Sequence, residues 1–208
     1  NSTIAASGTA TLGSGQLTQT AGSLIATGTN VISAGLMLSG GTFDIQSGTT
    51  SLSGTNTVST GVSVTSTGAA TGALSVTGGA TTVNSGATYA LPTTNVSAGT
   101  LTFNNSATIG TLALSGTGTV NGTGSLTVTT DFNQTAGALG ATFTDLALTR
   151  NAGTFNVGTM SASNDITLTT VGQNIAVNGT VTAGNHATIN SSGSVTLGAS
   201  GNVIGNGA

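Results

Sequence analysis

The sequence predicts an all-β protein that folds as a right-handed parallel β-helix, a β-solenoid of about ten coils with roughly 19–21 residues in each. Three observations lead to this prediction. Short runs of alternating apolar and polar residues recur along the chain, Gly and Asn separate the runs, and equivalent residues return at steps near 20. One coil of this size cannot bury an apolar face by itself. Stacked coils share a narrow core and pair the backbone groups of neighbouring strands.

The composition favours strands and excludes several functional classes. Charged residues make up 2% of the chain, with a single Lys or Arg, whereas hydrophobic residues reach 36%. Thr and Val suit strands, and Ser, Asn and Gly are poor helix formers. One cation cannot neutralise a phosphate backbone, and no apolar run approaches the length of about 20 residues that a membrane helix needs. We therefore expect no nucleic-acid partner and no insertion into a membrane.

The stretch 164–208 shows the predicted repeat most clearly. Asn164, Asn185 and Asn206 recur at a constant step of 21, and Leu168 and Ile189 keep the same step. Asn side chains at equivalent corners of stacked coils can form a hydrogen-bonded ladder. We therefore predict a structural Asn ladder of Asn164, Asn185 and Asn206.

Earlier parts of the chain keep a looser rhythm. The residues Leu24, Phe43, Val64, Val83 and Phe103 follow one another at steps of 19, 21, 19 and 20, which predicts that they stack in the core. The run Tyr89–Pro92 breaks the pattern and predicts a loop or a bulged turn, because Pro cannot donate to a strand ladder.

Residues 131–163 are the least regular part of the chain. The phrase Gln134–Gly137, QTAG, repeats the phrase Gln19–Gly22. Phe143 and Phe155 are expected to be larger core residues, where the cross-section widens or changes shape. No shift in composition marks a second domain. The chain 1–208 is therefore predicted to be a single β-helix, as a segment of a longer repetitive protein.

Three stretches resemble known families. Gly172–Gly207 and the phrase Gly153–Gly158, GTFNVG, resemble filamentous-haemagglutinin-type exoproteins, and Gly72–Leu91 resembles the repeats of autotransporter passenger domains. The resemblance implies a secreted or surface-exposed bacterial protein that acts extracellularly in adhesion, biofilm or filament formation. The expected function is that of a rigid stalk, adhesin or filament subunit. The expected partners are further copies stacked end to end, or the continuation of a longer chain, and glycans of a host or cell surface.

The few ionisable residues offer little for catalysis. Asp165 and His186, separated by the same step of 21, are expected on adjacent coils, where an Asp–His pair can orient a general base. No nucleophile stands out beside them, so a surface hydrogen bond is the favoured interpretation. Asp131 and Asp145 are expected on different sides of a coil, too far apart for glycosidase chemistry. Asp145 and Arg150 are candidates for an exposed ion pair. We predict a protein that is not an enzyme, with no catalytic residue, metal or cofactor.

Two further patterns suggest alternatives. Gly40–Asp44, GGTFD, partly matches a calcium-binding repeat, but it does not recur and predicts a structural turn. The rows Thr127–Thr129 and Thr167–Thr169 suggest an ice-binding solenoid with a Thr-rich face, although the uneven spacing argues against it. A carbohydrate-active β-helix enzyme is the less favoured alternative.

Overall fold

The computed structural model describes residues 2–13, 15–33, 35–59, 61–66 and 72–207, and the regular structure within these ranges is β-strand. None of the described residues belongs to a helix long and apolar enough to cross a membrane. The strands of the first part are β1 (Ser2–Leu12), β2 (Leu17–Gln19), β3 (Ser23–Ile32), β4 (Leu36–Leu38), β5 (Thr42–Ile45), β6 (Thr49–Leu52), β7 (Thr55–Val58), β8 (Ser63–Thr65), β9 (Ala73–Val83) and β10 (Thr88–Phe103). The strands that follow are β11 (Ala107–Leu114), β12 (Thr119–Gly122), β13 (Leu126–Gln134), β14 (Ala138–Leu139), β15 (Leu146–Arg150), β16 (Phe155–Val157), β17 (Met160–Ala162), β18 (Ile166–Thr170), β19 (Ile175–Val177), β20 (Thr180–Ala183), β21 (Ala187–Ser191), β22 (Val195–Leu197) and β23 (Asn202–Gly205).

The strands stack in parallel, coil upon coil, as a β-solenoid of about nine coils. One stack of strands runs through the whole described chain, and we call it the first stack. It contains the first halves of β1, β3, β10, β11 and β13 together with all of β5, β8, β15, β18 and β21. The predicted parallel β-helix is therefore confirmed, with about nine coils instead of ten.

Each coil as far as β14 also contributes to a second and a third stack. The second stack is formed by the later halves of β1, β3, β11 and β13, with β6, the start of β9 and the middle of β10. The third stack is formed by β2, β4, β7, the ends of β9 and β10, β12 and β14. Long strands such as β10 therefore bend around a corner and serve more than one stack.

The length of a coil varies more widely than the sequence spacing predicts. In the first stack, the step from Ala90 to its partner Thr108 is 18, whereas the step from Thr65 to its partner Ala90 is 25. The long coil contains residues 66–72, which lie between β8 and β9. Extra residues between strands leave the pairing of the strands intact, because only the strands are stacked.

The long coil also corrects one predicted stacking. Leu24 pairs with Phe43, and Phe43 with Val64, as predicted. Val64 then pairs with Tyr89, so the predicted step from Val64 to Val83 is wrong. Val83 belongs to the third stack, where it pairs with Val58 and Phe103.

Of the loop and the bulged turn predicted at Tyr89–Pro92, the loop is wrong, because all four residues lie in β10, whereas a turn of the strand does occur at Pro92. Tyr89 and Leu91 are buried, and Leu91 pairs with Ile109 of the next coil. Pro92 lies between Thr88–Ala90, which pair with β8, and Thr93–Val96, which pair with β9. At this corner β10 changes from the first stack to the second, so the missing N–H of Pro92 interrupts neither ladder.

The repeated QTAG phrase forms the same tight turn twice. The Gln19 Nε2 donates to the Gly22 carbonyl at 2.9 Å, and the Gln134 Nε2 donates to the Gly137 carbonyl at 3.0 Å. Gly22 and Gly137 both have φ near 77°, a left-handed conformation that Gly adopts without steric cost. The first turn joins the third stack to the first, and the second joins the second stack to the third.

The core is a continuous column of aliphatic side chains with aromatic residues between them. Alternation along β18 illustrates its origin, since Ile166 and Leu168 are buried and Thr167 between them points outward. Each buried Leu, Ile or Val contributes about 1.5–3 kcal/mol relative to exposure in water. All five Phe of the sequence are at most 2% exposed, which confirms the prediction that Phe143 and Phe155 are core residues.

The solenoid changes its organisation near Phe155. Strands β1–β15 together with β18 and β21 form one 17-stranded sheet, whereas β16–β19–β22 and β17–β20–β23 form two separate three-stranded sheets. Within the described chain, β13 pairs with β15 only as far as Asp131, and β14 pairs only with β12. Residues Phe132–Gln134 therefore lack a strand partner in the following coil. The Phe132 and Phe155 rings meet across this break, 5.9 Å between centroids, so aromatic packing replaces the interrupted hydrogen bonding.

Candidate functional site

The break between β13 and β16 opens a groove on the surface of the solenoid. It consists of two adjoining depressions of about 450 Å³ and 240 Å³, which share Gln134, Thr135 and Asn156. We call the pair the break groove. Its other lining residues are Phe132, Asn133, Ala136, Arg150, Thr154, Phe155, Val157, Gly158 and Asn178.

Arg150 closes one end of the break groove. Its Nη1 lies 3.2 Å from the Asp131 Oδ2 and donates at 3.2 Å to the Phe132 carbonyl, which has no strand partner on this side. The Asp131 Oδ1 also accepts the Asn151 N–H at 3.2 Å. Asp131 therefore balances the positive charge of Arg150. The contacts of Arg150 with Asp131 and the Phe132 carbonyl also hold this edge of the groove in place.

The remaining polar groups of the break groove are uncharged. Gln134, Asn156 and Asn178 present amides, while Thr135 and Thr154 present hydroxyls. Thr135, Thr154, Asn156 and Asn178 are exposed. Gly158 leaves space, since a Cβ built on it meets no heavy atom within 4 Å. Amides and hydroxyls donate and accept hydrogen bonds at once.

Asp165 and His186 lie next to each other on adjacent coils, as predicted. The Asp165 Oδ1 lies 3.3 Å from the His186 Nδ1 and accepts the His186 N–H at 2.9 Å. The side chains are 42% and 64% exposed, respectively. A carboxylate that accepts a backbone N–H at a solvent-exposed corner is a structural hydrogen bond, which agrees with the favoured interpretation.

The predicted Asn ladder is only partly aligned in the backbone. The Asn185 N–H donates to the Asn164 carbonyl at 2.8 Å, but Gly207 occupies the next equivalent position, donating to the Asn185 carbonyl at 2.8 Å. Asn206 is one position out of register because the step from Thr180 to its partner Asn202 is 22 instead of 21. The Asn164 amide donates to Asp145, and the Asn206 amide to the Ala183 carbonyl, so neither of these bonds runs between ladder members.

A different polar column occupies the neighbouring corner. The Ser106 Oγ accepts the Ser125 N–H at 3.1 Å, and the Asp145 Oδ1 accepts the Asp165 N–H at 3.2 Å. The Asp165–His186 bond is a third backbone N–H capped in this way, and between the first two caps the Ser125 hydroxyl donates to the Asp145 carboxylate. The hydrogen bond from the Ser125 hydroxyl is the main cause that lowers the pKa of Asp145. Burial raises this pKa, while the hydrogen bonds from the Asn164 amide and the Asp165 N–H lower it further.

Three further predictions about charged residues have clear outcomes. The suggested Asp145–Arg150 pair is wrong, because Arg150 pairs with Asp131, while Asp145 bonds to Ser125 at 2.6 Å. Asp145 bonds to Ser125, which precedes the first-stack part of β13, whereas Asp131 lies beyond the corner of β13, in the second stack. The two carboxylates therefore lie at different stacks and are not the close pair that glycosidase chemistry uses.

Asp44, from the partial calcium-binding pattern, lies in β5 and is 6% exposed. Its Oδ2 accepts the Gln46 amide at 2.9 Å. Among the described residues no group of three His, Cys, Asp or Glu side chains is placed to hold a metal.

The Thr rows form an interrupted array on the outer side of the first stack. Thr127 pairs with Ala147, and Ala147 with Thr167, while Thr149 pairs with Thr169. The stacked positions of Thr127, Ala147 and Thr167 are therefore occupied by both Thr and Ala. The rows Thr127–Thr129 and Thr167–Thr169 lie two coils apart.

The last coil has an open edge. Its strands β21, β22 and β23 each have one strand partner among the described residues. Val195 and Leu197 are 48% and 58% exposed, although their partners in the preceding coil, Ile175 and Val177, are fully buried. Apolar side chains at core positions are therefore accessible at this end of the solenoid, beside a row of strand backbone groups.

Comparisons with protein-family models, with curated proteins and with solved structures found no match to this chain.

The break groove was not predicted from the sequence. The irregular spacing of residues 131–163, the second QTAG phrase and Gly158 were the available signals.

Proposed function

We propose that this chain is a rigid rod segment of a fibrous protein on the bacterial surface or in the extracellular matrix, acting as a stalk, adhesin or filament subunit. The observation that carries the proposal is the unbroken first stack, which joins strands from β1 to β21 in one parallel ladder. At the spacing between stacked strands, this ladder extends on the order of 45 Å. The resemblance to haemagglutinin-type repeats supports the bacterial and extracellular parts of the proposal.

The open edge of the last coil supports end-to-end assembly. Exposed strand edges pair readily with a further strand, and the half-exposed Val195 and Leu197 are apolar surface that another coil would cover. Covering them repeats the contact that buries Ile175 and Val177 one coil earlier. The partner is a further coil of the same kind, from a second copy or from the same protein.

Assembly is tested by measuring particle length against concentration with analytical ultracentrifugation and small-angle scattering. We expect rods that lengthen in steps of one solenoid as concentration rises. Leu197→Asp should abolish lengthening, because it places a charge on the apolar edge. Thr196→Asp is the matched control, since Thr196 is exposed on the same strand, and should lengthen like the unmodified chain. Rods of constant length, or lengthening that survives Leu197→Asp, argue against end-to-end assembly.

The surface role is tested by displaying the chain on a non-adherent bacterium and counting cells retained on epithelial monolayers and on glass. Retention above that of cells displaying a destabilised Phe143→Ala chain is expected. Equal retention of both strains contradicts an adhesive role and leaves only the role of a spacer.

Ice binding is the second candidate, and the observation that favours it is the cluster Thr127, Thr149, Thr167 and Thr169 on one face. Thermal hysteresis that falls on Thr167→Val and Thr169→Val would support it. We rank it second because Ala147 interrupts the array at its centre.

A further inference from the structure

We propose that the break groove binds a neutral oligosaccharide. The groove is a built feature of the solenoid, since it lies where the second stack is interrupted and Phe132 and Phe155 form a packed floor. Strands β13 and β16 hold its two walls, so Gln134 and Asn156 stand on regular structure. A volume of about 450 Å³ lies within the range of sites that bind small ligands.

The chemistry of the lining selects the ligand class. Of the described residues that line the groove, Arg150 alone is charged, and Asp131 already neutralises it, so the groove offers a charged ligand no free counter-charge. The accessible polar groups are the amides of Gln134, Asn156 and Asn178 together with neighbouring Thr hydroxyls. Such groups match a ligand that carries many hydroxyls, because each hydroxyl both donates and accepts.

The position of Gln134 favours this assignment. Its Nε2 donates to the Gly137 carbonyl at 3.0 Å, which orients the side chain and leaves the amide oxygen as an acceptor. Gln134 lines both depressions, as does Asn156. A linear chain of sugar units lying across both would meet these two amides in succession.

An extended peptide fits the same groove less well. A peptide adds to a sheet by pairing with a row of free backbone groups. Here the unpaired edges are short, Phe132–Gln134 on β13 and Phe155–Val157 on β16, and Arg150 already occupies the Phe132 carbonyl. A peptide strand in the groove would meet only these few backbone groups.

This inference rests on the proposed surface function in one respect, since the oligosaccharide would be the ligand of a surface rod. The test therefore uses the Leu197→Asp chain, in which end-to-end assembly is blocked, so that binding and assembly succeed or fail separately. The probes are maltohexaose, cellohexaose and a linear β-1,3-glucan hexamer. A heparin hexasaccharide and an uncharged octapeptide of alternating Thr and Val serve as competing ligand classes. Binding is measured by calorimetry and by saturation-transfer NMR.

We expect at least one neutral hexamer to bind, with an affinity that changes less than about twofold when salt rises from about 50 mM to about 500 mM, since no charges are paired. Gly158→Tyr should weaken binding about tenfold or more, because its side chain enters the groove without meeting the backbone. Gly13→Tyr is the matched control, since Gly13 also has no heavy atom within 4 Å of an added Cβ, and should leave binding unchanged. Gln134→Ala and Asn156→Ala should each weaken binding severalfold.

The proposal is overturned if no neutral hexamer binds, or if Gly158→Tyr binds like the unmodified chain. Binding of the heparin fragment alone, with strong salt dependence, or of the peptide alone overturns it equally. Circular dichroism of each variant shows whether the solenoid is intact. If Gly158→Tyr does not fold, the two Ala variants decide.

Discussion

The Arg150 guanidinium reaches back one coil to Asp131, with 3.2 Å between Nη1 and Oδ2. The same nitrogen donates to the Phe132 carbonyl, at the point where β13 loses its strand partner. The side chains of Arg150 and Asp131 are 17% and 22% exposed, so water screens this pair less than a surface pair. A side chain thus replaces a strand as hydrogen-bond donor at the break.

Replacing Arg150 by Met should destabilise the solenoid by about 1–3 kcal/mol, because the Phe132 carbonyl loses its side-chain donor and the Asp131 Oδ2 loses its cation, while an apolar stem is kept. Urea unfolding followed by circular dichroism measures the loss. His186→Ala is the matched control, since it removes an Asp partner on an adjacent coil that is largely exposed, and should cost less than about 0.5 kcal/mol. Equal losses in both variants would contradict a special role for Arg150.

Gly122 and Phe143 are expected to be strongly coupled. A Cβ added to Gly122 would overlap the Phe143 ring, so Gly122→Ala should cost about 1–3 kcal/mol through overpacking. Combining it with Phe143→Leu should recover part of that loss, which a double-mutant cycle in urea unfolding measures. Gly158→Ala, where an added Cβ has free space, should change stability by less than about 0.5 kcal/mol. Additive losses at Gly122 and Phe143 would contradict the contact.

The strand stacking was predictable where apolar residues alternate, because burial of one side of a strand imposes that pattern. Leu168 and Ile189 pair as their spacing predicts. The pairing of Val64 with Tyr89 was not predictable, since Val83 offers the same pattern and the residues inserted before β9 carry no signature.

The break groove was unpredictable for a different reason. It arises because the end of β13 does not pair with a strand of the next coil. An alternating sequence pattern indicates which residues can form a strand, but not whether that strand finds a partner. Buried Asn56 gives a similar case: its Oδ1 accepts the Leu36 N–H at 2.9 Å, and its Nδ2 donates to the Thr81 hydroxyl at 3.0 Å. These hydrogen-bond partners lie on adjacent coils and satisfy the buried amide, and no pattern in the sequence around Asn56 indicates them.

Tyr89 is expected to make the fold sensitive to alkali. Burial raises the pKa of its phenol above the ordinary value of 10.0, with the Thr94 hydroxyl bond opposing the shift. The unfolded chain therefore ionises first, so stability is complete below about pH 10 and falls as pH rises above it. Because the sequence has one Tyr, phenolate absorbance in a pH titration should appear together with unfolding. Tyr89→Phe should remove this slope, and phenolate formation in the folded protein near pH 10 would contradict the account.

Asp145 is expected to contribute a loss of stability in acid. Its pKa lies below the ordinary value of 3.8, chiefly through the Ser125 hydroxyl bond, partly opposed by burial and assisted by Asn164 and the Asp165 N–H. The unfolded chain therefore takes up the proton first, and the contribution is present above about pH 4 and lost as pH falls through the folded-state pKa. Asp145→Asn should flatten the dependence of urea midpoint on pH below 4. Asp165→Asn, on the next coil, is the comparison.

The unequal lengths of the coils give the rod a mechanical signature. Hydrogen bonds between coils run along the axis, so a pull on the two ends loads the coils in series and detaches them one by one. A detached coil lengthens the chain in proportion to its residues, about 3.4 Å for each. The short coil from Ala90 to Thr108 would release on the order of 60 Å, and the long coil from Thr65 to Ala90 on the order of 85 Å. Force–extension traces of single molecules should therefore show steps of unequal length, from which the coil that is yielding can be recognised.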